Sequence, residues 1–400
     1  MFGRSRNQSV EVVEVRPPRI LMAVTSDISL RLMKGFPEYL TENGWEVHVV
    51  CSPGSQLEAQ PRGQGVFYHQ LAMERDIALV ADARALVAWV RLCRQVRPDL
   101  MTVGTPKAAL LGGLAGWITR VPRRIYHQRG LRLEASKGLQ RLVLKISEKT
   151  AVGTAHTVLA VSPSLRRRML ELGLSSAGKT VVVGAGSSNG VDLDEFDATR
   201  FRADEVEALR ARLGLRRDTP TIGYVGRLNR DKGFDDLEKA TRALSDDGVN
   251  FALLIVGEVD DEASRGTLER MLESGVTVAA TGAVDSPAIY YQLMDVLCLP
   301  THREGFPNVV LEAAASGKPT VTTDATGAVD SVIPGVTGVI VPMRDSQALA
   351  CELKSLLADL AVLSAMGEEA RRRAEEQFNR RDVWHRLLEF YASERASAGG

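Results

Sequence analysis

The sequence predicts an α/β protein of two domains, each built on a parallel β-sheet. Three observations carry this. Short apolar runs alternate with segments of helical period along most of the chain, the pattern of repeated β-α-β units. Four hundred residues with 44% apolar content suffice for two such cores. The alternation also runs twice, with a charged stretch after Asn189-Gly190-Val191-Asp192 between the two series.

In the first series, residues 19–25 read as a strand, followed by a loop and a helix that stops at Asn43-Gly44. Strands are expected next at 45–51, 65–70, 100–103, 124–127 and 157–161, and 179–183 closes the half. Arg97-Pro98-Asp99 and Arg120-Val121-Pro122 punctuate helix-to-strand turns. The second series places strands at 221–225, 251–256, 276–280, 296–299, 319–322 and 338–341. The tail, 347–391, reads as helical, and Trp384, Leu388 and Tyr391 form an apolar stripe at i, i+4 and i+7 that needs a partner. The expected division is a disordered leader at 1–18, domains at 19–198 and 199–378, and a final helix at 379–400.

Composition excludes several classes. There is no 18-residue apolar run, so no membrane-spanning helix is expected, and the charged first 18 residues lack the apolar stretch of a signal peptide. The scattered Cys51, Cys93, Cys298 and Cys351 form no CxxC pair, which fits a reduced, cytoplasmic setting with the thiols as small core residues. No metal site is expected. The zero net charge conceals an asymmetry: residues 1–200 carry 27 Lys+Arg against 18 Asp+Glu, and residues 201–400 carry 23 against 32. Lys137, Arg141, Lys145 and Lys149 recur every four residues, so they share one helix face. That face is either simply solvated or drawn to an anionic membrane surface or lipid phosphate. No aromatic residues interleave with the basic ones, which argues against nucleic acid.

The most informative stretch is 301–319, Thr-His-Arg-Glu-Gly-Phe-Pro-Asn-Val-Val-Leu-Glu-Ala-Ala-Ala-Ser-Gly-Lys-Pro. Glu304 lies in a Gly-Phe-Pro turn directly after an apolar run, and Glu312 lies eight residues on, upon the helix that follows. One carboxylate is then at the mouth of a strand-to-helix loop and the other on the helix flank, a separation that suits the sugar and the ribose of a nucleotide-sugar. A second stretch, Gly226-Arg227-Leu228-Asn229-Arg230-Asp231-Lys232-Gly233, follows a strand and opens a helix. Free N–H groups at the helix start, the fork of Arg227 and the point charge of Lys232 suit a diphosphate.

These two stretches resemble the E-x7-E and G-R-x4-K-G elements of retaining GT-B glycosyltransferases of family 4. The resemblance covers roughly 19–395 and is strongest over 220–342. It implies a GT-B fold, with two Rossmann-like domains facing each other across a cleft and a C-terminal helix crossing back to the first. It implies a nucleotide-sugar donor, most simply a UDP-sugar, and no other cofactor. Glu304, Arg227 and Lys232 take the catalytic roles by this likeness. Gly226, Gly257, Val284, Phe306, Pro307, Asn308, Val309 and Glu312 take the donor-binding ones. Val256-Gly257-Glu258 looks like the family's V-G turn with an altered second half, and Val284 borders the base through its backbone.

The acceptor side carries Thr105-Pro106-Lys107 and Tyr126-His127-Gln128-Arg129-Gly130-Leu131, which look like a branch that builds bacterial cell-surface polysaccharides. Ser26, Lys107, His127 and Arg129 follow strands, where such sheets place ligands. The implied acceptor is a saccharide, or one linked to polyprenyl diphosphate, met at the inner face of the cell membrane. Arg129 stands where many family members have a histidine that contacts the transferred sugar. Three other matches lead elsewhere. Asp192-Leu193-Asp194 resembles a metal-binding D-x-D but lies in an interdomain turn, and Gly184-Ala185-Gly186-Ser187-Ser188-Asn189 lacks the last glycine of a dinucleotide fingerprint. Gly112, Gly113 and Gly116 read as close helix packing. Two alternatives stand beside the transferase: a UDP-sugar 2-epimerase, which needs acids and histidines in the cleft, and a non-catalytic sugar-nucleotide binder.

Overall fold

The computed structural model describes residues 16–60, 65–74 and 78–398. The first sheet holds β1 (Arg19–Ala23), β2 (Glu46–Cys51), β3 (Val66–Gln70), β4 (Leu100–Gly104), β5 (Arg123–Gln128), β6 (Thr157–Ala160) and β7 (Thr180–Val181). The second holds β8 (Thr221–Val225), β9 (Ala252–Val256), β10 (Thr277–Ala280), β11 (Val296–Leu299), β12 (Thr320–Thr323) and β13 (Gly338–Val341). The strand orders are 3-2-1-4-5-6-7 and 10-9-8-11-12-13, parallel throughout. Central strands such as β4, β8 and β9 are buried at every residue, as a sheet covered by helices on both faces requires.

This topology selects the functional loops. Strand order reverses between β1 and β4 in the first sheet and between β8 and β11 in the second, and open α/β sheets bind ligands beyond the strand ends at such points. The loops leaving β8 and β11 are those that carry the basic pair and Glu304. In the first sheet the loops leaving β1 and β4 are tied together. The Thr25 and Thr105 hydroxyls lie 2.7 Å apart, and the N–H of Ala108 donates to Thr25 Oγ1 at 3.1 Å. Thr105 reaches this position with φ at 71°, a sparsely populated conformation for a β-branched residue.

The glycines of the helix Pro106–Ile118 are packing residues, as their helical setting implied. A Cβ on Gly112 would meet Val103, Met101 and Trp89, and one on Gly116 would meet Met101. The tail is helical, as expected, and the last helix begins at the expected place. The tail forms Ser346–Leu357, Leu360–Phe378 and Arg380–Ala396, broken where Asp359 and Asn379 turn their side chains onto the N–H groups of the next helix. The last helix crosses back to the first domain. Its deeply buried residues are Val383, Leu387 and Tyr391, at i, i+4 and i+8, packed among Ile20, Met22, Phe36 and Leu40. Trp384 and Leu388 sit at the edge of that stripe and are only partly buried.

The chain passes between the domains twice, and the two passages lie side by side. Val191 N–H donates to Phe378 O and Arg380 N–H to Val191 O, each at 2.9 Å. A Cβ on Gly190 would come within 2.6 Å of Phe378 O, so only glycine lets the passages approach. Asn189 ties this seam to both neighbours: its Oδ1 accepts from Trp384 Nε1 at 2.6 Å and its Nδ2 donates to Lys34 O at 3.1 Å. The Asn-Gly-Val-Asp sequence is thus a structural junction. Of the proposed leader, 1–15 lie outside the described residues, while Arg16 makes two hydrogen bonds to Asp99.

Candidate active site

The turn after β8 is built by its glycines. Gly233 holds φ at 70°, and a Cβ there would fall 1.8 Å from Pro300 O, the residue that follows β11. That contact brings the two loops together. Asn229 caps the short turn by accepting from Lys232 N–H at 3.0 Å, and Lys232 Nζ donates to Glu304 Oε1. The side chains of this pair are 23% and 11% exposed. Arg227 lies on the rim with half its side chain exposed, giving Nη1 to Asp260 at 2.7 Å, and Asn229 Nδ2 donates to the same carboxylate oxygen at 2.8 Å.

Gly226, Gly257 and Gly282 end β8, β9 and β10 side by side. Gly226 N–H donates to Val256 O, and Gly257 N–H to Gly282 O. A Cβ on Gly257 would fall 1.9 Å from Gly226 O, so this wall is bare backbone by necessity. Gly226 and Gly257 line a cleft of about 380 Å³ together with Arg227, Val284, Asn308, Val309 and Glu312. The opposite wall comes from the first domain, through Arg31, Lys34 and Asn189.

Glu312 projects from the helix Asn308–Ala315, entered through Pro307. Its Oε2 accepts from Tyr291 Oη at 2.8 Å. Burial pushes the carboxyl up to about 7, and nearby Glu195 adds to the rise, while the Tyr291 hydrogen bond, Arg380 and Arg31 oppose it. Phe306 turns its ring into the core against Phe378, 5.3 Å between centroids, so its share in a site is its backbone. The helix start at Asn308 and Val309 presents a partial positive charge at the cleft.

The acceptor-side residues divide. Ser26 begins the turn after β1, its hydroxyl 3.3 Å from Asp27 Oδ1. Lys107 Nζ lies 2.6 Å from both carboxylate oxygens of Asp82. His127 and Arg129 share the face of β5 and touch, Arg129 Nη2 lying 3.3 Å from His127 Nδ1. Burial and the adjacent guanidinium hold His127 well below its ordinary value, so it is neutral near pH 7, and burial lowers Arg129 to about 10. The Arg129 backbone marks the seam between domains: a Cβ on Gly305 would fall 2.1 Å from Arg129 O. Two cleft residues, and the buried tyrosine that holds Glu312, had no motif to announce them. Arg31 and Lys34 lie beyond the Thr25–Ser29 turn in sequence, and Tyr291 sits in an isolated short helix. Among the described residues no group of three or more His, Cys, Asp or Glu is placed to hold a metal ion.

Two family models match the chain, one to each domain: the glycosyl transferase 4-like domain over residues 35–186 and glycosyl transferases group 1 over residues 205–373. The capsular polysaccharide biosynthesis glycosyltransferase CapM of Staphylococcus aureus is 36% identical over 374 residues, spanning 93% of this chain and 96% of that protein. The chain belongs to the group 1 glycosyltransferases. Its architecture is that of solved GT-B members. The sucrose-phosphate synthase of Thermosynechococcus elongatus superposes with a TM-score of 0.78 at 23% identity, covering 95% of this chain and 100% of that one. HepE of Anabaena, solved in complex with UDP-glucose, superposes at 0.74 with 20% identity, covering 94% and 99%. In this glycosyltransferase, as in the predicted fold, two Rossmann-like domains face each other across a cleft, and the last helix returns to the first domain.

Proposed function

We propose that this glycosyltransferase moves a sugar from a nucleotide-sugar, most simply a UDP-sugar, to a saccharide or polyprenyl-diphosphate-linked saccharide, with retention of configuration, in cell-surface polysaccharide synthesis. The observation that carries it is a two-walled cleft lined by Arg227, Asn308, Val309 and Glu312, with Lys232 paired to Glu304 on the loops that leave β8 and β11. The ribose diol donates to Glu312, and the base lies along the backbone wall at Gly257 and Val284. Lys232, Arg227 and the helix start at Asn308 meet the diphosphate charge that a metal ion meets in other enzymes. Glu304 holds the sugar hydroxyls.

As the bond from the anomeric carbon to the diphosphate breaks, a new bond forms to the acceptor oxygen, and the acceptor's proton passes to the departing phosphate. Closure of the first domain over the donor keeps water out. The epimerase alternative is not favoured: among the described residues His127 is buried and neutral beside Arg129, and His302 is held by Asp236 at 2.5 Å. The CapM relative supports the polysaccharide role, and the basic first domain supports work at the inner face of the membrane.

The test is transfer from UDP-sugars to saccharide acceptors, with thermal shifts against UDP, GDP and ADP. A nucleotide at about 100 times its Kd adds roughly 2.7 kcal/mol of stability. It should do so for the wild type and much less for Glu312→Ala. Lys232→Ala should lower kcat by about 10²–10³. Stabilisation by no nucleotide would sink the proposal.

A further inference from the structure

The helix Gly138–Thr154 is apolar on the side turned away from the protein. Its buried residues lie in its second half, Glu148, Ala151, Val152 and Thr154, with Leu144 partly buried against the core. In the first ten residues none is buried. Leu139, Leu142 and Ile146 are 76%, 54% and 57% exposed. At 100° per residue these three share one stripe, opposite the direction of Leu144, Glu148 and Ala151. The basic residues Lys145 and Lys149 run along one edge of the stripe, with Lys137 at the helix start. An aqueous helix of this kind leaves its leucines in solvent with no packing return, whereas a lipid interface takes the apolar stripe and its cationic edge together.

Position adds a reason. The helix follows β5 through Arg129 and Gly130, which abut Gly305 at the domain seam. The connecting turn is held to the second domain by Glu134, whose Oε1 accepts from Thr326 Oγ1 at 3.0 Å. The exposed half of the helix therefore starts beside the seam, at the end of the sheet where the strands deliver their loops.

We propose that the exposed face of the helix Gly138–Thr154 docks on an anionic lipid bilayer, with Leu139, Leu142 and Ile146 entering the headgroup boundary and Lys137, Lys145 and Lys149 meeting lipid phosphates. This deepens the membrane-surface part of the proposed function and does not need the transfer chemistry to be right. No helix among the described residues is long and apolar enough to cross a membrane, so the contact is an in-plane one.

The experiment is flotation of the full chain with vesicles of phosphatidylglycerol and phosphatidylcholine, against phosphatidylcholine alone. Binding should require the anionic lipid and weaken with added salt. The triple variant Leu139→Ser, Leu142→Ser, Ile146→Ser should lose at least about tenfold in partition. Lys145→Glu and Lys149→Glu should each lose about fivefold or more. Wild-type protein that stays with the soluble fraction, or a triple variant that floats as well as wild type, would overturn the proposal. So would a dimer in solution that the triple variant turns into a monomer, since a second copy would then cover the face. Transfer to a short soluble acceptor without vesicles separates the two readings: the triple variant should match wild type there, whatever happens to the wild type on lipid.

Discussion

At the scale of single residues, the chemistry rests on carboxylates whose surroundings differ. Glu304 has a lysine against it, and Glu312 has a tyrosine hydroxyl in a low-dielectric setting, with Glu195, Arg380 and Arg31 acting on it from farther off. The Glu312 carboxyl, ordinarily near 4.5, is therefore pushed up to about 7. A folded-state value above the unfolded one means that the folded protein binds more protons across that window. Stability attributable to Glu312 is thus lost as pH rises from about 4.5 to about 7 and is flat above. If Glu312 meets the ribose diol as proposed, ligand binding runs the other way, because the diol is best met by the ionised carboxylate. The KM for donor should fall as pH rises from 6 to 8, and Glu312→Gln should flatten that dependence while raising KM at pH 8; steady-state kinetics across pH checks both. A KM that does not change with pH in the wild type would contradict the ribose role. The E-x7-E spacing made both glutamates legible in the sequence, but nothing there announced Tyr291, 21 residues from Glu312, because its role depends on how two helices meet.

At the scale of elements, period and punctuation disclosed every strand named above to within a residue or two. The loops were legible because glycine and charge concentrate where strands end. What the sequence could not supply was the reason a given glycine is needed. Gly233 and Gly248 share φ near 70°, yet a Cβ on Gly248 meets open space while one on Gly233 falls on Pro300 O. Gly248→Ala should cost roughly 1 kcal/mol, the conformational share alone. Gly233→Ala must also move the β11 loop, so it should cost at least about 2 kcal/mol and lower kcat by separating Lys232 from Glu304. Urea midpoints and transfer rates measured on both variants make the comparison, and equal losses would show that the approach to Pro300 is immaterial. The final helix was expected from 379, but the break at Asp359 was not legible for a related reason: Asp359 is an ordinary polar residue until its side chain turns onto the N–H groups of Ala361 and Val362.

At the scale of the whole molecule, the end of the chain stabilises its beginning. Tyr391 is fully buried among residues of β1 and the helix Phe36–Glu42, about 350 or more positions away in sequence, and Trp384 packs at a tilt against Phe36 and Tyr39 with centroids 6.2 and 5.3 Å away. The same tryptophan donates to Asn189, which holds Lys34 on the cleft's first-domain wall. Trp384 of the final helix thus reaches the first-domain wall through two hydrogen bonds. Tyr391→Ala removes a buried aromatic ring from the first domain, a change worth about 3–5 kcal/mol, whereas Tyr391→Phe keeps the packing and should stay within about 1 kcal/mol. The loss should fall on one domain. Calorimetry with and without UDP should show the transition that nucleotide does not raise moving down in Tyr391→Ala, with the nucleotide-stabilised transition in place. If both transitions fall together, the paired passages at Val191 and Arg380 couple the domains into one cooperative unit. The final helix would then stabilise the donor site as much as the wall it faces.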